Sequence, residues 1–223
     1  MIRILWRKKV LVVFLAALLI LFPGASVRPA QALSKTIFLS VGVEKSAGGY
    51  TVIGAAMINA EETKLVSAEG AAVEEAFGQI TSRQGRTVSL AHCNLIVLGA
   101  SLSGENVANI LEYFLEKFEV SNNALLVWTN GDVKGMLEAS FKSKTDAPGG
   151  MLETIAAHNQ LNVFKRPLTL DRFFKDYFGG RVAFMSAISF ETDEIYNTGQ
   201  VAAFKNGLFK RLVAQTSDIL DYE

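Results

Sequence analysis

The single cysteine of this 223-residue chain, Cys93, stands beside one of its two histidines, His92, in the stretch SLAHCNLIVLG (89–99). A thiol and an imidazole make a nucleophile and base only within hydrogen-bond reach of each other. Neighbours on a strand point to opposite faces, so these two cannot act on one another. The other histidine, His158, lies in a different element, ETIAAHNQ. Two imidazoles and one thiol spread over unrelated elements fall short of a zinc ligand set. The acidic group ETDE (Glu191–Glu194) carries the carboxylates a calcium ion takes, but such a run is more often a solvated loop. GGMLE after DAP lacks the lysine of a phosphate loop. The chemistry-bearing residues therefore assign no catalytic group, no metal and no cofactor. His92 and Cys93 read as structural, a capping or exposed imidazole and a buried small hydrophobe at the mouth of a strand.

The first 32 residues contain Arg3, Arg7, Lys8, Lys9 and Arg28 and no acid. Their apolar run, Val10 to Phe22, has the length of a signal-peptide core and is short of the roughly 20 residues that span a bilayer. Pro23 and Gly24 break it, and the small residues Ala30 and Ala32 ahead of Leu33 suit a signal peptidase. Residues 1–32 are thus expected to be a signal peptide cut after Ala32 or, uncut, an anchor made of the same helix. The cysteine of a lipoprotein signal does not follow the run. Taking the five leader cations from the 22 basic residues leaves 17 against 22 acidic ones, a net charge of −5. Such a domain lacks the basic face that nucleic acid requires. With one cysteine it has no intrachain disulfide, and core packing alone must hold it in an exported setting.

The remaining residues, 33–223, are expected to form one domain. TIFLSVGVEK and YTVIGAAMIN flank the turn SAGG and read as a hairpin, with Gly48 and Gly49 suited to positive φ. Ala72, Val73, Ala76, Phe77 and Ile80 recur at helical spacing, with Ser67 as N-cap and Gly85 as C-cap. NLIVLG and ALLVWTN are short apolar runs of the kind buried on both faces. Between them Val107, Ile110, Leu111, Phe114, Leu115 and Phe118 make a helical stripe capped by Ser103, and a short helix opens at Asp132. KSKTDAPGG reads as a loop leading to a helical lobe at 151–178, whose second helix follows Pro167 and is capped by Thr169. RVAFMSAISFE alternates like a strand, and GQVAAFKNGLFKRLVA is a hairpin about Asn206-Gly207, the pair favoured in type I′ turns. Strand–helix–strand–helix order implies a crossover. The expected fold is α/β (α+β), a mixed, partly parallel sheet with flanking helices and hairpins at both ends. In such a sheet a ligand pocket would lie at the carboxyl ends of the strands, near Gly99–Ser103 and Thr129–Asp132.

These elements, in this order, resemble the N-terminal domain of the Ger(x)C family, the C subunits of bacterial spore germinant receptors. LSVGVEKSAGGYTVIGAAMIN is similar to that family's first two strands. GRTVSLAHCNLIVLG follows its R-x-x-x-L-S-H-x-x-x-x-x-x-G pattern, with alanine in place of the serine, and GQVAAFKNGLFKRL is like its G-x-A-x-F-K-x-x-K-L hairpin. The resemblance covers most of residues 35–213. It implies a non-enzymatic role through protein contact with integral membrane germinant receptor subunits at the outer face of the spore inner membrane. It also makes His92 a structural residue joining helix to strand, and Cys93 a core residue. Two features depart from the family: no lipobox cysteine, and an end at Glu223 where relatives continue into further domains. A different reading of the same domain is a secreted or surface binder of a small ligand or envelope polymer.

Overall fold

The computed structural model describes residues 35–58, 63–142, 167–191 and 194–214. The predicted cleavage residues Ala30, Ala32 and Leu33, the loop and first helix predicted for 142–161, and His158 fall outside them or, at Lys142, on their boundary. The first described elements are strands β1 (Lys35–Ser46), β2 (Gly49–Met57) and β3 (Thr63–Gly70), then helix α1 (Val73–Gln84). Strands β4 (Thr87–Ser89) and β5 (Leu95–Gly99) lead through a 3-10 turn (Ala100–Gly104) to α2 (Val107–Phe118). β6 (Leu125–Thr129) and α3 (Val133–Lys142) follow. After the undescribed segment come α4 (Leu170–Phe178), β7 (Val182–Glu191), β8 (Glu194–Lys205) and β9 (Leu208–Ala214).

The nine described strands form one sheet in the order β3-β2-β1-β5-β6-β7-β8-β9, with the short β4 beside β1. β1, β5, β6 and β7 run parallel at the centre, and antiparallel ladders flank them on both sides. The mixed, partly parallel sheet expected from the sequence is therefore the observed one. Central strands alternate between two cores. Ile96, Leu98, Leu126 and Trp128 face α1, α2 and α4, while Leu95, Val97 and Val127 face α3.

Three details differ from the sequence reading, each for a local reason, and a bulge in β1 adds a feature that reading did not address. Ser67 lies in β3 opposite Ile53, so α1 starts at Val73 after Ala72; the buried Val66, Ala68 and Gly70 alternate with exposed residues as a strand requires. Asn106, not Ser103, caps α2, its Oδ1 accepting from the Ala108 N–H at 3.0 Å, because the 3-10 turn takes up Ser103. In the first hairpin Gly49 takes positive φ (130°) and Gly48 does not. A bulge between Phe38 and Ser40 shifts the pleat, so Phe38 shares a face with Val41 and Val43. The carbonyl of the extra residue, Leu39, accepts the Asn94 N–H at 3.0 Å.

The β8–β9 hairpin has the expected type I′ turn, with φ of 54° at Asn206 and 75° at Gly207. Its tip reaches back to α2. The Gly207 carbonyl accepts the Val107 N–H at 2.9 Å, meeting one of the amides that a helix start leaves unpaired. Trp128 stacks on Phe209 with centroids 5.0 Å apart and meets Phe204 edge to face at 5.3 Å, which fastens the hairpin to the sheet. A side chain at Gly207 would overlap Asn106, and one at Gly54 would overlap the Phe38 ring.

Gly54→Ala should lower the unfolding free energy by about 1–3 kcal/mol in urea titrations, because the ring has no room to give. Gly78→Ala, mid-helix in α1 with nothing near its Cβ, should raise it by about 1 kcal/mol. Equal effects of the two substitutions would refute this account of the packing.

Candidate functional site

Cys93 is 0% exposed, and its thiol donates to the Leu95 carbonyl at 3.3 Å. His92 is exposed on the turn before β5. The imidazole anchor expected at this junction is instead supplied by main chain. The Cys93 N–H donates to Leu90 O at 2.8 Å, and Asn94 bonds the β1 bulge on one side and the Leu125 N–H on the other. One side chain faces solvent and the other the core, so the pair does not meet. Among the described residues no cluster of three or more His, Cys, Asp or Glu could hold a metal. The ends of ETDE, Glu191 and Glu194, pair with each other across the β7–β8 ladder.

The carboxyl edge of the parallel strands, where a small-ligand binder would have its pocket, is closely packed at Gly99. A Cβ on Gly99 would sit 3.0 Å from Val133 and 3.1 Å from the Cβ of Glu44. The Lys45 N–H donates to Ser101 Oγ at 2.7 Å, and Ser189 Oγ donates to Asn130 Oδ1 at 3.0 Å. Asp132 caps α3 through the N–H groups of Lys134 and Gly135.

Two carboxylates at this edge, Glu105 and Glu44, behave oppositely. Lys45 forms an ion pair with Glu105, and Tyr50 Oη donates to the same carboxylate at 2.8 Å. The Lys45 hydrogen bond, then that of Tyr50, holds the Glu105 carboxyl below the ordinary carboxylate range. Glu44 is pushed above that range, chiefly by burial and then by the Asp132 charge, with Glu69 adding to it and the Val133 N–H opposing. The edge thus joins the first hairpin to the 3-10 turn and to α3. It is a structural junction.

The most exposed large apolar side chain among those described is Phe178, 76% exposed at the end of α4. It stacks on Phe174, centroids 5.8 Å apart, and meets Tyr177 edge to face. The cations beside it are locally neutralised, Lys175 by Asp171 at 2.7 Å and Arg181 by Asp176 at 2.9 Å. Phe178 is thus an aromatic side chain left largely in water, with ion-paired charges beside it. Periodicity placed Phe178 in a helix, but only the packing shows it left outside the core.

Residues 34–190 match the family described as the spore germination protein N-terminal domain. The chain belongs to this Ger(x)C family. Membership brings a role in spore germination. A search of curated proteins returned no match. Among solved structures the chain is similar to a crystal structure of the GerBC protein, at 14% identity and a TM-score of 0.40, over 78% of this chain. It spans 51% of the GerBC chain. Among the described residues of this Ger(x)C domain no helix is long and apolar enough to cross a membrane.

The pH dependence should show the two carboxylates separately. A raised folded pKa means that Glu44 costs stability above that pKa, and the cost vanishes as pH falls below the ordinary carboxylate value. Glu105, with a lowered folded pKa, stabilises above the ordinary value and loses this as pH falls through the folded one. Glu44→Gln should therefore raise Tm at pH 7 with a gain that shrinks toward pH 4, and Glu105→Gln should flatten the acid limb. A thiol reagent should label Cys93 only on unfolding, while His92→Ala should change stability by less than about 0.5 kcal/mol. Rapid labelling of the native protein would contradict the burial of Cys93.

Proposed function

We propose that this domain is an exported, non-enzymatic component of a spore nutrient germinant receptor, acting by contact with integral membrane subunits at the outer face of the spore inner membrane. The observation that carries the reading is the family match over residues 34–190. The exposed Phe178 knob with its ion-paired surround supports contact with a protein. A small-ligand binder draws less support, because the chain packs closely around Gly99 at the strand ends such a binder would use. The signal peptide of residues 1–32 is part of the same proposal, as the route by which the domain reaches that face.

Affinity purification of the full chain from detergent-solubilised spore inner membranes should recover the integral receptor subunits. Phe178→Ala should cut that recovery about tenfold or more, the scale of a hot-spot truncation, with Tm unchanged because the ring is mostly in water. Absence of those subunits from the wild-type preparation would refute the receptor reading.

A further inference from the structure

A second exposed apolar pair closes β2 at the opposite end of the first hairpin from its turn: Met57 is 37% exposed and Ile58 55%. Met57 pairs with Ile37 on β1 and with Thr63 on β3. Three cations stand around it. Lys35 opens β1 opposite Thr87, Arg86 immediately precedes Thr87, and Lys64 follows Thr63 on the edge strand. All three are exposed. Across the sheet this edge therefore reads Lys64, Met57 with Ile58, Lys35, Arg86, over about 15 Å at three strand spacings. None of these cations takes part in an ion pair among the described residues, whereas Lys175 and Arg181 beside Phe178 both do.

We propose that this edge is a contact for the headgroup layer of an anionic lipid bilayer, with Met57 and Ile58 at the acyl boundary and Lys35, Lys64 and Arg86 on lipid phosphates. The proposal rests on the membrane-face location given above and names what touches the lipid. Apolar side chains ringed by unpaired cations are what an anionic interface holds, since the long basic stems lie along the boundary while their heads meet phosphate. A protein partner would have to supply a carboxylate for each cation, but a headgroup layer offers phosphate at every position. The domain is acidic overall, and Glu61 and Glu62 follow Ile58 in the sequence. Against the three cations stand these two carboxylates, so the edge carries a local excess of one positive charge, and the attraction is that excess, felt within a Debye length of about 10 Å.

Cys93 is 0% exposed, so Ile58→Cys gives the full chain one reactive thiol for an environment-sensitive fluorophore. Ala47→Cys, in the exposed turn at the far end of the same hairpin, is the control. On vesicles of phosphatidylglycerol and phosphatidylethanolamine containing a spin-labelled lipid, the fluorophore at 58 should be quenched and that at 47 should not. Quenching at 58 should be lost in the combined variant Lys35→Gln, Lys64→Gln, Arg86→Gln, and on phosphatidylcholine alone. No binding to the vesicles, equal quenching at both positions, or quenching at 58 that survives removal of the three cations would each overturn the proposal. So would quenching that needs receptor subunits in the vesicle, which would make the edge a protein contact. Such a failure with subunit recovery intact would remove the lipid contact alone, and lost recovery with quenching intact would remove the receptor reading alone.

Discussion

β5 has no access to water: Leu95, Ile96, Val97 and Leu98 are all 0% exposed. A strand sealed on both faces must have its amides and carbonyls paired on both edges, and β1 and β6 do this in parallel register. Parallel neighbours cannot be joined by tight turns, so the chain has to cross from one end of the sheet to the other. Those crossings are the helices, and they supply the cover that β5 needs. Its alternate side chains then divide the interior, Ile96 and Leu98 toward α1, α2 and α4, Leu95 and Val97 toward α3. The Ala100–Gly104 turn, the Asn106 cap and the Cys93 burial all follow from how the chain enters and leaves this strand.

Much of this was legible because it rests on local patterns. The runs NLIVLG and ALLVWTN are too apolar for a half-exposed strand, and Asn206-Gly207 has few conformations open to it besides a type I′ turn. What stayed hidden depends on partners distant in sequence. TKLVSAEG is a plausible helix start when read alone, and becomes β3 only because β2 offers eight pairing residues. The bulge after Phe38 cannot be inferred from β1 itself, since the groups that accommodate it are on β2 and at Asn94. Asn106 escaped notice because a cap is recognised by where the helix begins, and the 3-10 turn moved that point.

The surface was less legible than the interior for a related reason. A lysine in a sequence is a charge of unknown pairing, and the pairing decides what it can hold. Lys175 and Arg181 are neutralised by acids four and five residues away, whereas Lys35, Lys64 and Arg86 have no such neighbours described. The same residue type therefore belongs to two kinds of surface. His92 shows the converse: a residue with obvious chemical potential sits in water because backbone amides already serve the junction it occupies.

Leu168 and Leu170 bond the start of β6, so β7 reaches β6 only through Val127, Trp128 and Thr129. Beyond that short ladder, β7, β8 and β9 are held to one another by long antiparallel pairings and carry a small cluster of their own around Val201, Ala203 and Val213. Their hold on the rest is therefore mostly side-chain burial: Met185 and Phe204 enter one main core and Ile188 and Ile195 the other, beside the Trp128 stack and the Gly207 carbonyl. Backbone pairing closes this side of the sheet over three residues only, so its cohesion there is a matter of packing more than of ladder hydrogen bonds.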